Sequence, residues 1–201
     1  MAKEERKNAI VRMYPGNGEM PERRTYVCFG VSRGGTSAVA GVMQRLGVFI
    51  GQDLPNNYED PDFVGKPPPK MKETIAERNE AHAVWGWKFP SAANYLEVLL
   101  PTLVNPHFII VHRDIVATMK AHIRWHKRTH QFAVHEILIQ QQRNWFLAER
   151  WQVPTALVSY EKAILEPRLF VKEMADFLGR PVPDSKGLDE MEEFLRPGSY
   201  K

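Results

Sequence analysis

Residues 28–48 read CFGVSRGGTSAVAGVMQRLGV, and few backbone arrangements satisfy them. A short apolar run over 26–29 enters a loop with three glycines. The loop feeds a segment that carries Val39, Val42, Met43 and Leu46 on one helical face. Strand, glycine-rich loop and helix in that order are the layout of a phosphate-binding loop. The spacing Gly30-x-x-x-x-Gly35 continues as Thr36-Ser37, where a loop built for nucleoside triphosphates has Lys followed by Ser or Thr. The nearest cation, Arg33, sits inside the loop. Gly30, Gly34 and Gly35 let backbone N–H groups turn inward around an anion. A helix beginning near Thr36 adds the positive end of its dipole, Thr36 and Ser37 add hydroxyls, and Arg33 adds a bidentate fork. The plainer reading is a glycine turn capping a buried helix; the flanking strand and helix favour anion binding. Without the lysine that reaches the β- and γ-phosphates, a shorter, metal-free anion fits better than ATP or GTP.

The rest of the chain alternates between apolar runs and helical periodicity. Strands are expected over 26–31, 84–89, 108–111 and 154–159, with a short one over 48–51. Helices are expected over 36–46, 71–82, 91–100, from 114 to about 128, from about 134 to 151, and over a face made by Phe170, Met174, Phe177 and Leu178 that Gly179 ends. Such alternation implies an α/β fold of P-loop nucleotide-binding type, a three-layer sandwich around a central parallel β-sheet. Ligands of these sheets bind at the carboxyl ends of the strands, so the loops after residues 31, 89, 112 and 159 line one edge. Residues 53–70 hold five prolines and four acids, a long loop of the kind that carries function. The first 23 residues read as a loose arm and 24–201 as one domain.

Charge and cysteine content narrow the function classes. The formal net charge is +3, which calls for no polyanionic partner over the whole surface. The single cysteine, Cys28, lies in the first apolar run and is expected to be buried, so no disulfide forms within the chain. No stretch is long and apolar enough to span a bilayer and 1–8 lack an apolar signal core; the expectation is a cytoplasmic protein without a membrane partner. Lys120, Arg124, Lys127 and Arg128 recur at helical spacing after a second motif, HFIIVHRDIVATMKAH over 107–122. That basic face reads first as a solvated surface. It could also serve an anion site, while no groove-reading motif accompanies it to suggest nucleic acid. His122, His126 and His130 share the helix without a carboxylate or cysteine nearby, so no metal is expected.

In the second motif a buried strand ends at His112-Arg113-Asp114 and a helix begins. Arg113 projects toward the edge that carries the first loop, or pairs with Asp114 as a surface cap. Taken together, the chain resembles the sulfotransferases that use 3′-phosphoadenosine 5′-phosphosulfate (PAPS). Ser32-Arg33-Gly34-Gly35-Thr36-Ser37 is similar to that family's Pro-Arg-Ser-Gly-Thr-Ser loop, and Arg113-Asp114-Ile115 to its Arg-Asp-Pro. WGWKFP at 85–90 resembles its Lys-x-Pro stretch and NNYEDPDF at 56–63 an aromatic-Glu segment of bacterial members. VSYEKAILEP at 158–167 with FLG at 177–179 resembles its last strand and helix. The likeness runs from about residue 25 to 179.

The resemblance implies that Arg33, Gly34, Gly35, Thr36 and Ser37 hold the 5′-phosphosulfate and Arg113 the 3′-phosphate, with Arg196 completing that site. The family's serine for this phosphate is Ala121 here, leaving Thr118 or Lys120 as substitutes. Lys88 is expected to stabilise charge on the bridging oxygen. The family's histidine two residues on is Pro90 here, so Glu59 is expected to act as the base, with Asp60, Asp62 and His82 as rivals. The expected reaction moves a sulfuryl group from PAPS to a hydroxyl or amine of a small-molecule or carbohydrate acceptor, releasing 3′,5′-adenosine bisphosphate (PAP). A kinase-like phosphotransferase and a non-catalytic nucleotide-binding protein are the alternatives. Acceptor and oligomeric state are not legible.

Overall fold

A computed structural model describes residues 8–16 and 18–197. Its sheet has five strands: β1 (Ile10–Met13), β2 (Arg24–Phe29), β3 (Val84–Lys88), β4 (Pro106–His112) and β5 (Thr155–Ser159), in the order β1-β5-β4-β2-β3. The last four are mutually parallel, and β1 runs antiparallel to β5. The expected parallel sheet is therefore a mixed one with an antiparallel edge. The expected loose arm over 1–23 is likewise ordered at Ile10–Met13, while 1–7 and 17 lie outside the described residues. Two forces fix that edge: β1 pairs with Thr155–Val158, and the Ala9 and Ile10 N–H groups donate to the Glu173 carboxylate at 2.9 and 3.0 Å.

The helices among the described residues are α1 (Thr36–Arg45), α2 (Pro68–Ala81), α3 (Leu96–Leu99), α4 (Ile115–His126), α5 (His130–Trp151), α6 (Tyr160–Leu165), α7 (Pro167–Leu178) and α8 (Ser185–Leu195). They form the outer layers of a three-layer sandwich. One sheet face, with Tyr26, Cys28, Ile109, Val111 and Val158, packs on α1, α7 and α8. The other, with Val27, Phe29, Phe108 and Ile110, packs on residues of α2, α3 and α5. Alternate residues of one strand enter opposite layers, as pleating requires. β2 and β4 lie inside the sheet and are buried nearly end to end, which explains their uninterrupted apolar runs.

Local chemistry sets the helix ends that matter. Asp114 caps α4, accepting from the Ala117 N–H at 2.8 Å, and its own N–H donates to Glu161 at 2.9 Å. Thr129 caps α5, which begins earlier than its apolar pattern suggests. The residues expected as a second strand, 48–51, make one parallel bridge, Phe49 to Trp85. α8, within the proline-flanked tail, is an element that the periodicity reading did not single out. Asp184 caps it and Leu188, Met191, Phe194 and Leu195 bury its inner face. Among the described residues, no helix is long and apolar enough to cross a membrane.

Candidate functional site

The carboxyl ends of β2, β3, β4 and β5 open into a cleft of about 760 Å³. Its walls bring together residues far apart in sequence: Arg33, Thr36 and Ser37 after β2, Lys88 at the end of β3, Arg113 after β4, Tyr160 after β5, and Glu59 from the long loop.

The first wall is the glycine-rich loop. Arg33 has φ of 62°, and Gly35 caps α1 with φ of 90° and no side chain to bond the first-turn amides. The Ala38 N–H donates to the Gly35 carbonyl at 3.1 Å, which leaves the Thr36 and Ser37 amides without an intrahelical acceptor and free for an anion. A Cβ on Gly35 would lie 2.1 Å from the Tyr160 ring, so only glycine fits the turn. Gly34 plays a narrower part than expected: its N–H donates to the Val31 carbonyl at 2.8 Å, and it closes the turn without lining the cleft. Ser37 Oγ donates to the Asn57 carbonyl at 3.0 Å, tying the long loop to the start of α1. The Arg33 guanidinium sits 4.2 Å above the Trp125 ring of α4.

The second wall is cationic. Arg113 Nη1 donates to the Arg33 carbonyl at 3.0 Å, its guanidinium lies 4.7 Å from the Tyr160 ring centre, and its buried Nε has no hydrogen-bond partner. Lys120 and Arg124, one turn apart on α4, line the same cleft beside Ala121. Among the described residues neither has an ion-pair or hydrogen-bond partner. Thr118, the other substitute considered for the absent serine, is buried with its hydroxyl committed to the Asp114 carbonyl at 2.8 Å. The expected basic helical face thus divides: Lys120 and Arg124 of α4 face the cleft, whereas Arg128, beyond the end of α4 at His126, pairs with Glu136. His122 is buried with Nε2 2.8 Å from the Ser32 carbonyl, backing the loop; the His126 side chain lies outside the described residues. Among the described residues no cluster of three His, Cys, Asp or Glu side chains has metal-site geometry.

At the floor, Lys88 Nζ lies 2.9 Å from Glu59 Oε1. Only 1% of the Lys88 side chain is exposed against 22% for Glu59. Burial pulls the Lys88 pKa down and the Glu59 carboxylate opposes that pull. Beneath them Cys28 is fully buried; desolvation pushes its thiol up to about 12, so it is inert.

Glu59 is the acid lining this cleft among the described residues. Its rivals are engaged elsewhere. Asp60 is buried against Arg78 of α2, Asp62 accepts from the same guanidinium at 3.0 Å, and His82 stacks on Phe49. Arg196 stands apart: it pairs with Glu193 one turn back and does not line the cleft, although Pro197 does. Asn56, Asn57, Trp125 and Tyr160 are wall residues that the motif reading did not assign. For Lys120 and Arg124 the signal was present, as an i, i+4 pair on the helix after Arg113.

Three solved structures that share the fold of this chain are described as sulfotransferases. A mouse sulfotransferase complexed with PAP superposes with a TM-score of 0.62 at 12% identity, covering 90% of this chain and 67% of that one. The chain has the sulfotransferase fold. A sulfotransferase from Mycobacterium avium gives a TM-score of 0.57 at 13% identity over 88% of this chain and 68% of that one. The sulfotransferase domain of a Synechococcus olefin synthase gives 0.54 at 16% identity over 86% and 78%. Comparison with protein-family models and with curated proteins gives no match. Within the sulfotransferase fold of this chain, every cleft wall described above comes from the carboxyl edge of the sheet, where α/β folds bind ligands.

Proposed function

We propose that the chain transfers a sulfuryl group from PAPS to a hydroxyl or amine acceptor. The observation that carries this reading is the charge of the cleft: five cations, Arg33, Lys88, Arg113, Lys120 and Arg124, surround one carboxylate, Glu59. One cation is already balanced by Glu59, and Arg113 keeps an orphaned buried donor. Such a site fits a ligand with two anionic ends, a requirement that PAPS meets. The resemblance of the loops and the shared fold support the same donor.

Bound PAPS supplies an activated sulfuryl group and a phosphate leaving group. The residues of the chain then have distinct tasks. The first-turn amides of α1, the Thr36 and Ser37 hydroxyls and Arg33 hold the 5′ end. Gly34 and Gly35 shape that turn. Arg113, with Lys120 and Arg124 in place of a serine hydroxyl, holds the 3′-phosphate. Arg196 has no part in this site as it stands. Glu59 takes the acceptor proton, and Lys88 stabilises negative charge beside it, both within a largely desolvated floor where such interactions are strong. Transfer of labelled sulfate from PAPS across a panel of hydroxyl and amine acceptors tests the reading. Wild type is expected to label at least one acceptor and Arg33→Ala none; equal labelling by the two would contradict it.

A further inference from the structure

α5 is 22 residues long, roughly 33 Å. Its inner face is conventional: Ala133, Ile137, Leu147 and Ala148 are buried, and Asn144 donates to the Gly30 carbonyl at 2.8 Å. Its outer face is unusual. Leu138, Ile139, Trp145 and Phe146 are exposed by 51, 43, 39 and 57%. Large apolar side chains gathered on an outer face mark an interaction surface.

The order of residues along that face says what covers it. His135, Leu138, Gln142, Trp145 and Glu149 are spaced three, four, three and four apart, a seam for a second helix. The seam is also its own complement. About a two-fold axis through Gln142, an antiparallel copy sets His135 against Glu149, Leu138 against Phe146, and Ile139 against Trp145. At both ends an imidazole N–H meets a carboxylate, and at the centre a side-chain amide meets its own copy, donor to acceptor. Two-fold interfaces require this i-to-j and j-to-i matching. The charges flanking the seam are turned away from it. Arg143 bonds Asn94, Arg150 pairs with Glu97 at 3.1 Å, and Arg128 pairs with Glu136. His135, Gln142 and Glu149 have no such partner among the described residues.

From this geometry we infer that two copies of the chain associate through antiparallel α5 helices. The interface lies on the face opposite Asn144, so it braces the helix that holds the Gly30 carbonyl, and none of its residues lines the cleft. The inference is independent of the sulfuryl-transfer reading.

Sedimentation velocity of the full chain over a concentration series tests it. Wild type dimerises in the micromolar range. Ile139→Glu weakens the dimer about 30-fold or more, as loss of a central anchor should, and leaves the melting temperature unchanged at concentrations low enough for both proteins to be monomeric, because the residue is exposed. His135→Glu weakens it by like-charge contact, and the double exchange His135→Glu with Glu149→His restores it. Under oxidation Gln142→Cys links two chains, since Cys28 is buried. A monomer at every concentration, a dimer indifferent to Ile139→Glu, or a failed charge exchange would overturn the inference. So would a monomer that pellets with phosphatidylserine vesicles through Ile139, which would give this face to a membrane.

Discussion

The two sides of the cleft solve opposite electrostatic problems. On the side built by the glycine-rich loop and α4, Arg33, Arg113, Lys120 and Arg124 face the opening with no carboxylate among them. On the side built by the long loop and β3, the buried charges are paired: Glu59 with Lys88, and Asp60 with Arg78, whose other nitrogen also holds Asp62. Arg78 is also packed near the rings of Phe49, Phe63 and Trp85. An uncompensated cluster is stable beside water and ready to bind an anion. A compensated buried pair instead fixes its members in place and resists losing either one. The first side is organised for ligand charge, the second for geometry.

The largest effect is expected on the compensated side. Glu59→Gln should lower turnover by about 10²–10⁴-fold, the range for loss of a general base, while PAP binding changes little, because Glu59 belongs to the other wall. Steady-state kinetics beside calorimetry separate the two; equal losses in both would erase the distinction between the sides. Next comes Arg78→Met, which strands the buried Asp60 carboxylate. Denaturant unfolding should register about 3–5 kcal/mol of lost stability, and a negligible change would mean that the pair does not anchor the loop.

A third test sharpens the contrast through pH. Burial lowers the Lys88 pKa below its ordinary 10.5 and Glu59 holds it up, so Glu59→Gln lowers it further. Between the folded value and 10.5 the unfolded chain binds more protons than the folded one, and stability rises with pH. The destabilisation of Glu59→Gln relative to wild type should therefore shrink as pH climbs from about 7 toward about 10. Unfolding curves at several pH values check the sign, and a deficit that grows with pH would refute it. The smallest effect belongs to the uncompensated side. Ala121→Ser, adding a hydroxyl where Arg113 and Lys120 converge, should tighten PAP by a few-fold, in line with one hydrogen bond. Calorimetry that finds no gain would put the 3′-phosphate away from Ala121.

Much of the cation-rich side was legible in the sequence, because it is local. Arg33 to Ser37 are contiguous, Arg113 follows an unmistakable buried strand, and Lys120 and Arg124 follow at helical spacing. The compensated side was less so. That Asp60 is neutralised by Arg78, eighteen residues on, depends on how α2 packs against the long loop, and no periodicity carries that. Arg196 was assigned by position in a family pattern, yet a glutamate one turn earlier holds it. β1 is four residues long beside Pro15 and Gly16, too short a run to read as a strand on its own, and pairing with β5 makes it one. α8 was readable in principle: Asp184 precedes Leu188, Met191, Phe194 and Leu195 at helical spacing, although the surrounding prolines masked the pattern.

The central claim is that the uncompensated cations await a ligand with a phosphate at each end of a nucleoside, not a magnesium triphosphate. Calorimetry with PAP against ATP plus Mg²⁺ tests this most directly. The account predicts tight binding of PAP, weakened in Arg33→Ala and in Arg113→Ala, and no heat from ATP with magnesium. Magnesium-dependent ATP binding with none for PAP would contradict it and assign the cleft to a phosphotransferase.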